Sequence, residues 1–305
     1  VKKYLLNDSP LYGYNKPKLW IHSKYEINAR NWRDFCSRNT TDLNQPYLLL
    51  TIKSIIEHCS DDFNICLIDD ETFSKLIPTW DVDLTAMAEP MKSKMRDVGM
   101  LELIYYYGGL TIPNSFLCLR NLLPIYEQSI DKPVCGENMI RAVNIEKAKN
   151  GPLYLPSIDI ISSPKNSETI LELLEYLKKV ARNPHFTSED DFKGNVSYWL
   201  IGQIKEKNIQ ILNGSQIGIR TNQGKPIMME ELLEDGYLDI DTSAYGILIP
   251  REEILRRTHY QWFSVLSTDE ILKSNMAITK YFISSTVDAK SYKRENTKVR
   301  TAITI

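Results

Sequence analysis

The stretch over residues 92–122, KSKMRDVGMLELIYYYGGLTIPNSFLCLRNL, constrains the fold of this chain more than any other. Met95, Val98 and Leu101 fall on one side at helical spacing, and Met100, Leu103, Ile104 and Tyr107 widen the stripe. That pattern predicts an amphipathic helix over about residues 92–107. Gly108-Gly109 ends it, because glycine enters the left-handed C-cap conformation without a Cβ clash. Leu110-Thr111-Ile112 is then strand-like, and Pro113-Asn114-Ser115 breaks the strand. Helix, glycine stop and buried strand fit an α/β class with a mixed, mostly parallel sheet flanked by helices. A ligand crevice is expected at the carboxyl ends of the strands.

The rest of the chain supplies the other elements. Residues 17–22 read as a first buried strand and residues 63–68 as a second. Between them lies a polar loop, residues 39–44, whose Asp42 suits the N-cap of a helix running to about Cys59 with Pro46 in its first turn. Asp69-Asp70-Glu71 opens a short helix over residues 72–77. Acids there suit the helix dipole and need no ligand. Residues 78–90 are a connector with one short helical piece. Beyond the central stretch come a helix at 122–128, a strand at 133–135, a polar surface loop at 138–151 and a strand at 157–161. Ile170, Leu173, Leu174, Leu177 and Val180 mark a helix over 167–181. Thr187-Ser188 begins another, burying Phe192, Val196, Trp199, Leu200 and Ile204. Short strands are expected at 209–212, 216–220, 237–240 and 245–249. A last helix opens at Ser267, with Glu270 completing a capping box, and runs to about Phe282. The core should include Trp20, Leu67, Ile68, Leu103, Ile104, Ile160, Leu174 and Trp199. Residues 1–283 read as one domain with an irregular lead-in at 1–16, and residues 284–305 as a basic tail.

Charge and composition exclude several classes. The formal net charge of −2 gives no field that favours nucleic acid. The five cysteines, Cys36, Cys59, Cys66, Cys118 and Cys135, are odd in number and form no C-x-x-C. They indicate neither zinc nor a disulfide framework and fit a reducing compartment. His22, His58, His185 and His259 are far apart and make no metal motif. No P-loop, G-x-S-x-G, H-E-x-x-H or strand-borne G-x-G-x-x-G occurs. Asp81-Val82-Asp83 is a literal D-x-D, but it sits in a connector ahead of the central helix. No apolar run is long enough to span a bilayer. The chain begins at Val1 rather than Met, so a preceding signal or anchor would give membrane or virion association. Lys290, Lys293, Arg294, Lys298 and Arg300 outnumber Asp288 and Glu295 in the tail. That tail is either a solvated terminus or a segment, centred on residues 290–300, that docks on an anionic surface or a protein partner.

The order helix, Y-G-G, short strand resembles the core of metal-dependent sugar transferases of the GT-A fold. The nearest pattern is that of initiating mannosyltransferases and capsular-polysaccharide transferases, roughly A-D-x-x-R-x-x-x-L-x-x-Y-G-G-I-Y-L-D-x-D. The chain matches at Asp97, Ile104 (for Leu), Tyr107, Gly108, Gly109, Leu110 and Ile112. It departs at Met100, where the family has arginine, and at Pro113 and Ser115, where the family has its aspartate pair. Residues 17–22, PKLWIH, resemble the family's opening strand, which implies that Trp20 and His22 flank a nucleotide base. The same resemblance implies that Asp70, after the second strand, and Asp97, Tyr107, Gly108, Gly109, Asn114 and Asp159 surround a nucleotide sugar. Asp97 is the candidate catalytic residue. Gly194-Asn195 replaces a family G-P pair, and His259-Tyr260-Gln261-Trp262 departs in spacing from the late H-x-x-x-S-W. Divergent chains lacking the aspartate pair look similar to proteins encoded by large DNA viruses.

In that family the two carboxylates hold Mn²⁺ or Mg²⁺ against the diphosphate of the donor. Proline offers no ligand atom, and serine and asparagine are neutral. The expectation is therefore a glycosyltransferase-like scaffold with no metal and no other cofactor, weak or absent turnover, and a UDP- or GDP-sugar or a glycan as ligand. Lys92, Lys94 and Arg96 are expected to form a solvated face. The alternative is a non-catalytic structural or assembly protein on the same scaffold.

Overall fold

Strands of three to ten residues form one mixed sheet and an accessory strand pair. The computed structural model describes residues 16–23, 45–139, 153–182 and 189–286. In chain order the elements are β1 (Lys18–His22), α1 (Tyr47–Cys59), β2 (Asn64–Ile68), α2 (Thr72–Leu76), α3 (Met91–Tyr107) and β3 (Gly109–Thr111). Then come β4 (Phe116–Cys118), α4 (Leu123–Gln128), β5 (Val134–Met139), β6 (Tyr154–Ser163), α5 (Glu168–Ala181) and α6 (Glu189–Lys205). The C-terminal third holds β7 (Gln210–Leu212), α7 (Met229–Leu233), β8 (Gly246–Leu248), α8 (Arg251–Arg256), α9 (Gln261–Val265), α10 (Thr268–Lys273) and α11 (Ala277–Thr286).

The main sheet runs β2-β1-β3-β6-β5-β7. The β2, β1 and β3 strands are mutually parallel, β6 is antiparallel to both neighbours, and β7 is parallel to β5. Strand order reverses at β1, with β2 on one side and β3 on the other. In α/β sheets ligands sit outside the carboxyl ends of strands at such a point.

Successive strand residues point to opposite faces. Trp20, Cys66, Ile68, Cys135 and Ile161 pack under α2, α3, α5 and α6. Leu19, Ile21, Ile65, Leu67, Leu110, Val134 and Ile160 pack over α1 and α4. A further apolar cluster joins Tyr47, Leu48 and Leu50 of α1 to Leu117, Ile247, Phe263, Ile271 and Phe282. Helix α1 is therefore buried on two sides, against the sheet through Ile52 and Ile55 and against the C-terminal helices through Leu48 and Leu50.

The glycine stop has its own geometry. Gly108 has φ 67° and ψ −171°, an extended conformation at positive φ that only glycine adopts readily, rather than the left-handed helical cap expected. Gly109 has φ 110°, and a Cβ there would lie 2.1 Å from the Lys18 carbonyl oxygen.

Other expectations need correction. Residues 116–118, for which no element is expected above, form a strand paired with β8. Residues 216–220 and 237–240 are not strands. Gln216 and Ile217 use their carbonyls to accept from Tyr245 and Leu248, and this bonding holds the segment irregularly beside β8. The last helix is two helices. The Ser267–Glu270 capping box forms, but Ser274 is extended and the Ala277 N–H donates to the Glu234 carbonyl of another segment. Short helices α7, α8 and α9 appear where no element was expected, and α11 continues past residue 283. Trp199 is half-buried, stacked on Tyr176, while the other seven expected core residues are buried. Asp42, residues 140–152, Thr187, Ser188 and the tail beyond residue 286 lie outside the described residues. Among the described residues no helix is long and apolar enough to cross a membrane.

Leu103 is fully buried between α3 and the sheet. Truncation to alanine is expected to cost roughly 2–5 kcal/mol through lost burial and the cavity left behind. Urea denaturation checks it, and a loss under about 0.5 kcal/mol would be that of a surface position.

Candidate functional site

The parallel ladder ends where proline removes the next donor. Ile112 N–H still donates to the Trp20 carbonyl at 3.1 Å, and the chain then turns, with Phe116 N–H donating to the Pro113 carbonyl at 3.1 Å. The turn is clamped from both sides. Thr51 Oγ1 of α1 donates to the Asn114 carbonyl at 2.5 Å, and Ile249 N–H donates to the Ser115 carbonyl at 3.2 Å. Asn114 and Ser115 are 4% and 3% exposed. The Asn114 side-chain nitrogen, Nδ2, has no hydrogen-bond partner among the described residues. A cavity of about 470 Å³ opens on this turn.

One wall of the cavity comes from α3. Arg96, Asp97 and Met100 line it, the first and last being i, i+4 on one helical face. Arg96 is buried, so the expected solvated face is corrected. Its Nε and Nη2 donate to the two carboxylate oxygens of Asp70, each at 2.7 Å, and its Nη1 to Glu89 at 3.3 Å. Lys92 Nζ lies 3.7 Å from the same Asp70 carboxylate. Lys94 is also buried, its Nζ 5.8 Å above the Phe192 ring. The long aliphatic stems lie along the apolar face while Asp70 and Phe192 receive the charged heads. His22 completes the group. Its ring stacks on Phe73 and its Nε2 is 3.1 Å from Asp70. Burial alone would raise the Asp70 pKa, but the hydrogen bonds and charges of Arg96 and His22 outweigh that and hold the carboxyl well below its ordinary value. Asp69, by contrast, is spent locally, accepting from the N–H and hydroxyl of Thr72.

His22, Asp97, Asn114 and Asp159 are brought together on the cavity wall. Asp159 accepts from Asn138 Nδ2 at 2.6 Å. Asp70 stands behind Arg96. The others lie elsewhere. Trp20 is 1% exposed, its indole N–H donates to the Gly108 carbonyl at 2.9 Å, and it packs in the core without lining the cavity. Tyr107 donates its hydroxyl to the Leu76 carbonyl at 2.7 Å. Gly108 and Gly109 shape the α3–β3 junction without lining the cavity. Asp83 of the literal D-x-D caps its own turn by accepting from Thr85. His259 and Trp262 are not on the cavity wall either.

Sequence reasoning missed Asn138, Lys193 and Arg251, which line the cavity from β5, α6 and α8. None carries a local signal. Arg96 did carry one, since it lies one turn before Met100 on the same face. Three cationic side chains, Arg96, Lys193 and Arg251, and four carboxylates, Asp97, Asp159, Glu252 and Glu253, line the cavity. Among the described residues no group of three or more His, Cys, Asp and Glu side chains is arranged to hold a metal ion. The turn itself offers a proline, an amide and a hydroxyl, a donor set poorly matched to a hard divalent cation. Burial pushes the thiols of Cys66 and Cys135 up to about 12, which leaves them inert as nucleophiles.

No sequence model of a known family matches the chain, and no curated protein does. A solved structure titled "PaToxG Glycosyltransferase" is similar at a TM-score of 0.32 and 13% identity, over 89% of this chain and 86% of that chain. At that level of likeness the site is read from this chain's residues alone.

Replacing Arg96 by methionine removes the bidentate partner of the Asp70 carboxylate and leaves it His22 and the more distant Lys92. The expected loss is about 2–3 kcal/mol at neutral pH, below the value for a fully buried pair because Asp70 keeps some solvent contact. Asp70 is held below its ordinary value in the folded state, so its stabilisation is present above that value and fades as pH falls toward the folded one. The difference between wild type and Arg96→Met in urea denaturation should therefore narrow as pH drops from about 5 toward 2. A constant difference across that window would place the stabilisation elsewhere.

Proposed function

We propose that the protein is a glycosyltransferase-like binder of a sugar-bearing ligand, a nucleotide sugar or a glycan, and that it does not carry out metal-dependent sugar transfer. The observation that carries this reading is the turn at the end of β3. Pro113 and Ser115 face the cavity at the two positions where the transferase pattern has carboxylates. A transferase must stabilise the charge that develops on a departing diphosphate, and losing one preorganised donor of that kind costs about 10²–10³ in rate. Here both carboxylates are replaced. Transfer without a metal needs cations aimed at the diphosphate, and the buried cation of this site, Arg96, is already engaged bidentately by Asp70. The order of elements supports the transferase-like part of the reading. Helix, Gly-Gly junction and short parallel strand lead directly to a cavity at the strand-order reversal. Asp97 lines that cavity and remains the residue through which any residual activity would run.

UDP-glucose or GDP-mannose incubated with the protein and Mn²⁺ should release no nucleotide above a heat-killed control, and calorimetry should show no Mn²⁺ binding that UDP or GDP strengthens. Steady multiple turnover that disappears in Asp97→Ala would overturn the reading.

A further inference from the structure

Two cysteines that stand 59 positions apart in the sequence meet in the core. Cys59 closes α1 and Cys118 closes β4, and their sulfur atoms lie 3.9 Å apart. Both side chains are fully buried. The backbones that carry them are tied together independently of the sulfurs, because the Cys118 N–H donates to Ser54 Oγ of α1 at 2.9 Å. Thr51 of the same helix holds the Asn114 carbonyl.

A disulfide needs its sulfurs at about 2.0 Å. Closing a gap of 3.9 Å asks each sulfur to move about 1 Å, which a modest turn about χ1 supplies. Little is given up, since thiols are weak donors and these two bond each other and the Arg120 carbonyl. The other described cysteines have no such neighbour. Cys66 and Cys135 pack on the opposite face of the sheet. They stand in one row across it, through Trp20, Thr111 and Ile161. Four strand spacings separate them, roughly 19 Å, well over the ~7 Å that a disulfide tolerates between Cα atoms. Among the described cysteines, Cys59 and Cys118 are the pair that the fold can join.

We infer that Cys59 and Cys118 form a buried disulfide site, joined when the chain folds in the presence of a small-molecule disulfide such as oxidised glutathione. The step is thiol–disulfide exchange. The thiolate of one cysteine attacks a sulfur of oxidised glutathione, which forms a mixed disulfide and releases one glutathione thiolate. The thiolate of the second cysteine attacks the protein sulfur of that mixed disulfide, forms the Cys59–Cys118 bond and releases the second glutathione. The two protein thiols lose two electrons and two protons, and one oxidised glutathione becomes two reduced ones. Burial sets the timing. It pushes the Cys118 thiol well above its ordinary value and covers both sulfurs, so the exchange belongs to the chain before the core closes. The closed core then shields the bond from reductant. The bond pins the last turn of α1 to β4, the strand that follows the turn at Pro113-Asn114-Ser115, and so reinforces the clamp made by Thr51. The pair thereby records the redox state in which the chain folded, independently of what the cavity binds.

The test refolds the full chain from its reduced, denatured state in two buffers, one with oxidised and reduced glutathione and one with reduced glutathione alone. Remaining thiols are alkylated in denaturant and the peptides mapped by mass spectrometry. From the first buffer the protein should emerge two hydrogens lighter, with Cys59 and Cys118 in one cross-linked peptide and Cys36, Cys66 and Cys135 alkylated. That form should melt about 5–10 °C above the reduced form of the same sequence, because the bond restricts a long loop of the unfolded chain without straining the folded one. Dithiothreitol should cleave the bond in guanidinium and leave it intact in the folded protein. Recovery of five free thiols, bonding of Cys59 or Cys118 chiefly to another cysteine, a cross-linked form that melts below the reduced one, or rapid reduction without denaturant would each overturn the inference. The comparison uses one unaltered sequence, so it does not depend on a variant that folds.

Discussion

The site depends on the backbone contact between Gly109 and Lys18. Only a residue without a Cβ can bring β3 this close to β1, since a methyl group there would meet the Lys18 carbonyl oxygen at 2.1 Å. The preceding Gly108 takes an extended conformation at positive φ, and its carbonyl accepts from the Trp20 indole. Together they let α3 reverse directly into a parallel strand beside β1 with no intervening loop. The end of β3 therefore arrives next to the end of β1, and the turn at Pro113-Asn114-Ser115 faces the same cavity as His22. The same junction fixes the rotation of α3, which turns Arg96, Asp97 and Met100 toward that cavity and leaves Leu103 and Ile104 in the core.

Electrostatics at the site follow from one helical turn. The transferase pattern has arginine where this chain has Met100, and this chain has arginine four residues earlier on the same face. The displaced guanidinium reaches Asp70 at the end of β2 rather than projecting freely into the cavity. Its charge is spent on holding α3, α2 and β1 together through Asp70 and His22. A fixed bidentate pair of this kind gives geometric order more readily than it gives a cation for a ligand. Position 100 itself carries an uncharged methionine, so the only guanidinium on this face of α3 is the one held by Asp70.

The C-terminal third builds the opposite wall. Helix α1 is buried on both sides, and its Thr51 and Ser54 hydroxyls bond the Asn114 carbonyl and the Cys118 N–H. It thus ties the turn after β3 to the packing of α9, α10 and α11 on its other side. Through β8, which pairs with β4, that packing also delivers Ile249 to the turn and Arg251, Glu252 and Glu253 to the cavity. Changes in the C-terminal helices are therefore coupled to the site by a short chain of buried contacts.

Sequence by itself determined the elements whose apolar pattern is local and long. The helix over Met91–Tyr107, the helix over Glu168–Ala181 and the buried strands β1 and β2 fall within a residue or two of where periodicity places them. It also determined that Pro113 ends a strand and that no carboxylate follows it, because those facts reside in residue identity. It could not determine that residues 216–220 stay irregular or that the last helix breaks at Ser274, since both follow from hydrogen bonds to segments distant in the chain. Nor could it place Trp20 in the core and off the cavity wall, because alternation along a strand gives two faces without saying which elements cover each. Only the tertiary structure decided that Arg96 is buried on Asp70 and that Asn138, Lys193 and Arg251 share a cavity with Asn114. Pairing, burial and charge balance are properties of groups that meet from separate elements, and no stretch of sequence contains both members of such a meeting.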